Sequence, residues 1–103
     1  MAEQFEYRFD WDPIKADRNA KDHGVTFEQA ATVFLDPKLL SQIDEEHDDE
    51  EERWVSLGLD KSARLLIVCH TFREVTERSA TIRIFSARKA TRRETRDYEK
   101  QKP

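Results

Sequence analysis

Aromatic and charged side chains alternate along residues 5–10, with the period of two that is typical of a half-buried β-strand. Asp12 and Pro13 follow, and this pair indicates an N-cap with proline at the first helical position. The polar helix that they open runs over residues 14–23. Gly24 is a favoured residue just after a helix end, because it adopts the left-handed conformation easily. The pattern therefore predicts a strand followed directly by a helix.

A second helix begins after Thr26, whose hydroxyl is expected to form a capping box with Gln29. Apolar residues then recur three and four positions apart, which places them on one stripe of the helix. The helix ends before Pro37, since the residue before a proline avoids helical backbone angles. A short strand is predicted over residues 39–43. The acidic segment 44–52 is expected to be a solvated loop, because its like charges repel one another.

Further strands and a last helix follow the acidic segment. Residues 65–72 form the predicted central strand, because this stretch is apolar on both faces. Thr91 and Glu94 form another capping box, which opens the last helix. The predicted elements are, in order, a strand at 54–59, a turn at 60–63, the central strand, a polar connection at 73–79, a strand at 81–86 and a helix at 92–100. Links of hairpin length predict an α+β fold, an antiparallel sheet with two N-terminal helices and one C-terminal helix.

The composition narrows the class of protein. A length of 103 residues indicates a single domain over residues 1–103, and a chain that is 37% hydrophobic and 39% charged favours one thin core. The longest apolar run, residues 65–69, is far shorter than a membrane span, and the acidic N-terminus is unlike a secretory signal. Cys69 is the single cysteine and is interpreted as a small core residue in a reducing compartment. A cytoplasmic protein is therefore expected.

The formal net charge of −4 hides an uneven distribution. The acidic segment 44–52 carries eight carboxylates and no lysine or arginine. Residues 53–103 carry 13 basic and six acidic side chains, so the C-terminal half of the chain is basic. This asymmetry indicates contact with a polyanion or an acidic partner, although basic surfaces without such a role are also common.

Familiar catalytic motifs are absent from the sequence. It contains no phosphate-binding glycine loop, no nucleophile elbow and no dinucleotide fingerprint. His23, His47 and His70 lie too far apart in the chain for the ligand spacing of a zinc site. His47 could bind a divalent ion weakly among the acidic residues, but a solvated loop is the favoured interpretation. The sequence therefore predicts neither a metal nor a cofactor.

Arginines on the predicted strands are the remaining candidates for chemistry. Arg53 shares a strand face with Val55, and Arg83 lies between Ile82 and Ile84 and leaves the opposite face from them. Such a charge usually marks the solvent face of a sheet, and it could instead bind an anion. Arginines in the first turn of a helix oppose its dipole, which indicates a nearby phosphate or carboxylate. The basic residues around the start of the last helix are Arg88, Lys89, Arg92, Arg93 and Arg96.

Several parts of the sequence form a recognisable combination. They are residues 9–15, residues 19–30, Glu52 and Arg53 ahead of a strand that ends at Gly58, and residues 82–94 together with Tyr98. In this order, over nearly the whole chain, they resemble the BrnT toxins of bacterial type II toxin–antitoxin systems. The acidic segment 44–52 is more highly charged than the pattern of that family.

This resemblance implies a RelE-like fold and a ribonuclease that inhibits translation. Toxins of this class cleave RNA without a metal: the 2′-hydroxyl attacks the adjacent phosphate and leaves a cyclic phosphate. The reaction needs a base, an acid and cations near the phosphorus. The charge-stabilising candidates are Arg83, Arg53 and Arg88. His23 is either an acid or base in catalysis or a residue that caps the end of its helix.

The resemblance also implies binding partners. The expected partner protein is BrnA, a small DNA-binding antitoxin that neutralises the toxin in a heteromeric complex. Candidate RNA-binding residues are Lys15, Lys21, Arg92 and Arg93. Lesser candidates for the catalytic roles are Lys15, Asn19, Lys21 and Tyr98. Candidate antitoxin-binding residues are Arg88, Arg92, Arg96 and Tyr98. Two other classes of function remain open, a non-catalytic module that binds nucleic acid or protein and a structural subunit of an obligate complex.

The last helix is too short to be stable alone in water. Residues 92–100 therefore either dock through Tyr98 or are ordered by a bound partner. We expect an acidic or apolar segment of the antitoxin to cover this helix and the neighbouring Arg88, which would also block RNA. The alternative is a helix that Tyr98 packs against the edge of the sheet.

Overall fold

A six-stranded sheet with helices on both faces forms the part of the chain that the computed structural model describes, residues 5–45 and 52–101. The strands are β1 (Glu6–Asp10), β2 (Leu40–Ile43), β3 (Arg53–Leu59), β4 (Leu65–Thr71), β5 (Arg73–Thr76) and β6 (Ser79–Lys89). The helices are α1 (Pro13–His23), α2 (Phe27–Ala31), which continues as a 3-10 helix (Thr32–Leu35), and α3 (Arg92–Glu99). None of the helices in the described residues is long and apolar enough to cross a membrane.

The sheet is mixed, and its strand order is β1-β6-β4-β3-β2, with β5 also pairing with β6. β1 runs parallel to β6, whereas the other pairs of strands are antiparallel. The prediction of an antiparallel sheet is therefore wrong for β1. Short links constrain the directions of β3, β4 and β6. By contrast α1 and α2 separate β1 from the other strands, so no tight turn dictates its direction.

Most of the predicted elements occur, with shifted ends. α1 ends at Gly24, whose φ of 67° is left-handed, and α2 begins with the expected capping box. The predicted connection at 73–79 instead contains β5, and β6 extends beyond the predicted 81–86 at both ends. β5 is exposed along its whole length, so it lacks the alternation that marks a half-buried strand. Within the predicted loop at 44–52, residues 46–51 lie outside the described residues.

The main core lies between one face of the sheet and the helices α1 and α2. Its buried side chains come from the link between α1 and α2, from α2, the 3-10 helix, β4 and β6: Val25, Phe27, Ala30, Val33, Phe34, Leu66, Val68, Ile82, Ile84 and Ala87. Alternation along β6 sends Ile82 and Ile84 into this core and Arg83 to the opposite face, as the sequence predicted. The core therefore fixes which side chains of β6 point away from α1 and α2.

Asn19 fastens α1 to the edge of β6. Its buried side chain accepts a hydrogen bond from the Ala87 N–H at 3.0 Å and donates to the carbonyl oxygens of Ala87 at 2.8 Å and Val25 at 2.9 Å. β1 pairs with β6 as far as Arg83, and the Asn19 amide takes up the backbone groups of Ala87 beyond that point. α1 therefore holds a defined position beside the second half of β6.

α3 packs on the other face of the sheet through Tyr98. The ring of Tyr98 is buried with Leu57 and Ile67, and its hydroxyl donates to the Asp36 carboxylate at 2.5 Å. Burial and this hydrogen bond raise the pKa of Tyr98 to about 12. The Asp36 carboxylate also accepts from the Leu59 N–H. The helix is thus docked by contacts within the chain itself.

Candidate nucleic-acid interface

A row of polar side chains crosses the sheet on the face away from α1 and α2. Asp10 of β1 lies opposite Arg83 of β6 in the parallel register. The backbone N–H of Arg83 donates to the Thr71 hydroxyl on β4 at 3.2 Å, and Thr71 lies opposite Arg53 of β3. Side chains in register on neighbouring strands share a face of the sheet. The row therefore brings two arginines and a carboxylate together from distant parts of the sequence.

Asp10 and Arg83 form an ion pair at the open surface, with 2.5 Å between the Arg83 Nη1 and the Asp10 Oδ2. The two side chains are 44% and 56% exposed, Arg83 being the less exposed. An exposed pair of this kind contributes little to stability. A cavity of about 480 Å³ adjoins the pair, and its further walls are Glu52, Thr71, Phe72, Arg73 and Thr81. An anion can therefore reach the Arg83 guanidinium and compete with Asp10 for it.

The aromatic ring of Phe85 lies beside the row and contacts two cations. The pairing of β4 with β6 shifts register here, which makes Phe85 an extra residue in a β-bulge. The guanidinium carbon of Arg53 lies 4.5 Å from the centre of the Phe85 ring, and the Lys15 Nζ lies 5.4 Å from it. Both distances are within the range of a cation–π interaction. Lys15 is held near β6 because Asn19, one turn further along α1, is bonded to that strand.

Arg88 belongs to a different arrangement. Its guanidinium donates two hydrogen bonds to the Glu94 carboxylate, at 2.8 and 2.9 Å. These bonds, with further help from the Thr91 N–H, lower the pKa of Glu94 to about 2, and the Glu94 carboxylate raises the pKa of Arg88. A two-pronged contact of this kind fixes the orientation of both groups. Arg88 therefore ties β6 to the first turn of α3.

The other candidate residues lie outside the row. Lys21 and His23 are exposed at the end of α1, and His23 lies about 12 Å further along the helix axis than Lys15. The structure does not bring His23 to the arginines of the row. On α3, the arginine side chains Arg92, Arg93 and Arg96 are exposed, whereas Tyr98 is buried.

The sequence interpretation assigned no role to Asp10, Thr71 or Phe85. Alternation along β1 does place Asp10 on the opposite face from Phe9, and this signal was available. Its partner Arg83 follows from the parallel register of β1 with β6, which no local pattern encodes. The position of Phe85 depends on a bulge, which is also a property of strand pairing.

Comparison with known proteins identifies the family. A family model described as "Ribonuclease toxin, BrnT, of type II toxin-antitoxin system" matches residues 11–94. The chain belongs to the BrnT family. The resemblance seen in the sequence is therefore confirmed. The BrnT family is described as a family of ribonuclease toxins. No curated protein matches the chain significantly.

A solved BrnT structure shares the fold. It is the crystal structure of the Brucella abortus ribonuclease toxin BrnT, with a TM-score of 0.56 and 19% sequence identity, and the alignment covers 84% of this chain and all of that chain. At this level of identity the likeness concerns the fold alone. Within the BrnT match at 11–94 lie Lys15, Arg53, Thr71, Arg83 and Phe85, whereas Asp10 lies one residue before it.

Proposed function

We propose that this BrnT-family chain is an endoribonuclease that cleaves RNA without a metal. The observation that carries the proposal is the row across the sheet, in which Arg53 and Arg83 lie on an open face beside the Asp10 carboxylate. Cations positioned in advance stabilise the negative charge that develops on phosphorus, which is the service a metal ion would otherwise supply.

Each group of the site has a role in transfer of the phosphate to the neighbouring ribose hydroxyl. Arg83 and Arg53 bind the non-bridging phosphate oxygens, and Asp10 accepts the proton of the attacking 2′-hydroxyl. The new bond joins the 2′-oxygen to phosphorus, and the bond from phosphorus to the 5′-oxygen breaks. Lys15 gives a proton to this leaving oxygen. The products are a 2′,3′-cyclic phosphate and a free 5′-hydroxyl.

Cleavage of RNA explains both why the chain would be toxic and how a partner protein would neutralise it. Cleavage of messenger RNA stops translation, so the cell needs a partner that masks the site. A small DNA-binding antitoxin of the BrnA kind serves as that partner and covers the cations near α3, namely Arg88, Arg92 and Arg96. Exposed arginines attract acidic segments and favour rapid association. Coverage of these residues would also hinder RNA from lying across the sheet.

The test is cleavage of RNA by the purified chain in excess EDTA, with analysis of the product ends. We expect cleavage to continue and to yield cyclic phosphate ends, and we expect an RNA with 2′-deoxy sugars to resist. A chain that binds RNA without cutting it would instead be a non-catalytic module. Loss of cleavage in EDTA with recovery in magnesium would contradict the metal-free mechanism.

A further inference from the structure

A second cavity lies on the opposite face of the sheet from the arginine row. Its volume is about 220 Å³, and aromatic rings from β1, the 3-10 helix, β3 and the end of β4 form most of its wall. The lining includes Tyr7, Phe34, Trp54 and Phe72, together with Ser41 and His70. This cavity plays no part in the charge stabilisation described above.

A chain of hydrogen bonds ends at this cavity. The His70 Nδ1 lies 2.9 Å from the carbonyl oxygen of Thr71, its Nε2 lies 2.7 Å from the Ser56 Oγ, and that oxygen lies 2.7 Å from the Ser41 Oγ. His70 and Ser56 are buried, whereas Ser41 is exposed. Burial lowers the pKa of His70, so the ring is neutral at pH 7.

The direction of each bond in this chain follows from the carbonyl group at its end. A carbonyl oxygen can accept but not donate, so the His70 Nδ1 carries the proton and its Nε2 accepts. Ser56 must then donate to His70, and Ser41 must donate to Ser56. The Ser41 oxygen is left with lone pairs directed elsewhere. It therefore offers the cavity an acceptor and no donor.

These features define the ligand that fits. Aromatic walls favour a flat ring, because such rings stack on one another. The Ser41 acceptor favours an N–H donor on that ring. Apart from the Tyr7 hydroxyl and the Trp54 indole N–H, the aromatic rings present apolar surface, so a ring with few polar atoms loses least when it leaves water. Adenine is the base of RNA that has an exocyclic amine and no carbonyl oxygen.

The cavity adjoins the proposed cleavage site. Phe72 lines both this cavity and the one that contains Asp10 and Arg83. The two cavities also meet consecutive residues of β4. His70 lines the aromatic cavity on one face of the sheet, and Thr71 lines the other cavity on the opposite face. One nucleotide can therefore present its phosphate to Arg83 while a neighbouring base turns past Phe72.

We propose that the cavity between Trp54 and Phe72 binds an adenine base of the RNA, with the Ser41 oxygen accepting a hydrogen bond from the adenine amino group. This inference rests on the proposed function for its RNA, and it adds a base preference to that activity. Stacking on the aromatic walls supplies affinity for a ring, and Ser41 selects the amine.

The test is a titration with nucleosides, which carry no phosphate and so do not depend on cleavage. Quenching of Trp54 fluorescence reports binding. The variant Trp54→Phe shows how much of the fluorescence comes from Trp11, the other tryptophan. Adenosine is compared with purine riboside, which differs by the missing amino group, and with uridine. We expect adenosine to bind the wild-type chain about threefold to tenfold more tightly than purine riboside, the effect of one hydrogen bond.

The matched variants are Ser41→Ala and Ser62→Ala, both at exposed serines. Ser41→Ala should bind adenosine as weakly as purine riboside, and Ser62→Ala should behave as wild type. Equal affinity of the wild-type chain for the two nucleosides would overturn the proposal, as would absence of nucleoside binding, which would leave the cavity to an apolar side chain of a protein partner. An inactive ribonuclease that still prefers adenosine would refute the proposed function and leave this inference standing.

Discussion

The arginines of β6 differ in how firmly their carboxylate partners hold them. Arg83 pairs with Asp10 at an open surface, and both side chains are about half exposed. Arg88 instead shares two hydrogen bonds with Glu94, which the capping box of α3 also holds. Arg83 can therefore exchange its carboxylate for a phosphate at small cost, whereas Arg88 would have to release a helix terminus. We therefore place the proposed cleavage chemistry at Arg83.

The pair of Arg88 and Glu94 predicts a specific dependence of stability on acid. The folded pKa of Glu94, about 2, lies below the usual 4.5, so its stabilising effect is present above pH 4.5 and is lost as the pH falls toward 2. Because the pair is partly exposed, the loss is about 1 kcal/mol in the free energy of unfolding. Urea unfolding at pH 7 and pH 3 measures it.

Two variants of α3 isolate this effect. Glu94→Gln should reduce the difference in stability between pH 7 and pH 3 by about 1 kcal/mol. Glu99→Gln, at an exposed residue of the same helix, should keep the wild-type difference. An unchanged acid sensitivity in Glu94→Gln would show that the ion pair does not have this role.

Single residues could be assigned to a face from the sequence, but not to a partner. The strand alternation places Arg53 and Arg83 away from the core, as the structure shows. Arg83 contacts Asp10 because β6 pairs with β1, and Arg53 contacts Phe85 across the intervening strand β4. Pairing is decided by the packing of the whole core, so a local pattern does not contain it.

At the scale of elements, α1 matters because it carries Lys15 to the ring of Phe85. The helix is short and polar, and its anchor to the sheet is the buried amide of Asn19. The sequence predicted the ends of α1 from Pro13 and Gly24, since caps are local signals. It did not predict the anchor, because a single asparagine in a polar helix has no distinguishing neighbours.

Removal of this anchor should be costly. Asn19→Ala leaves the buried N–H and carbonyl of Ala87 without their partner, and we expect the free energy of unfolding to fall by about 2–4 kcal/mol. Urea denaturation measures the change. Lys21→Ala, at an exposed position in the same helix, is the control and should stay within about 0.5 kcal/mol of wild type. Equal effects of the two substitutions would contradict the role of Asn19.

Because Tyr98 docks α3 on the sheet, this helix should be ordered without a partner. The amides of residues 95–99, which donate hydrogen bonds within α3, should be protected from hydrogen exchange in the chain without antitoxin, because Tyr98 packs on Leu57 and Ile67. Tyr98→Ala should release that protection while β6 keeps its own. Exchange in wild-type α3 as fast as in Tyr98→Ala would show instead that a partner is needed to order the helix.

In the molecule as a whole, the two proposed sites lie on opposite faces of the sheet. One face holds the core and the aromatic cavity, and the other holds the cations and α3. Caps, alternation and short links were sufficient to predict most elements and the α+β class. They were insufficient to predict the parallel pairing of β1 with β6, because these strands are far apart in the sequence and α1 and α2 lie between them. The row of Asp10, Arg83, Thr71 and Arg53 depends on that same pairing.

The central claim is that Arg83 stabilises the transition state of RNA cleavage. Its most direct test is the single-turnover cleavage rate of Arg83→Ala in excess EDTA, with circular dichroism to confirm the fold. The control is Lys61→Ala, which removes one positive charge beyond the far end of β3, about 20 Å along that strand from Arg53. We expect Arg83→Ala to be about a hundredfold to a thousandfold slower than wild type and Lys61→Ala to be unchanged. A folded Arg83→Ala variant that cleaves RNA at the wild-type rate would contradict the account.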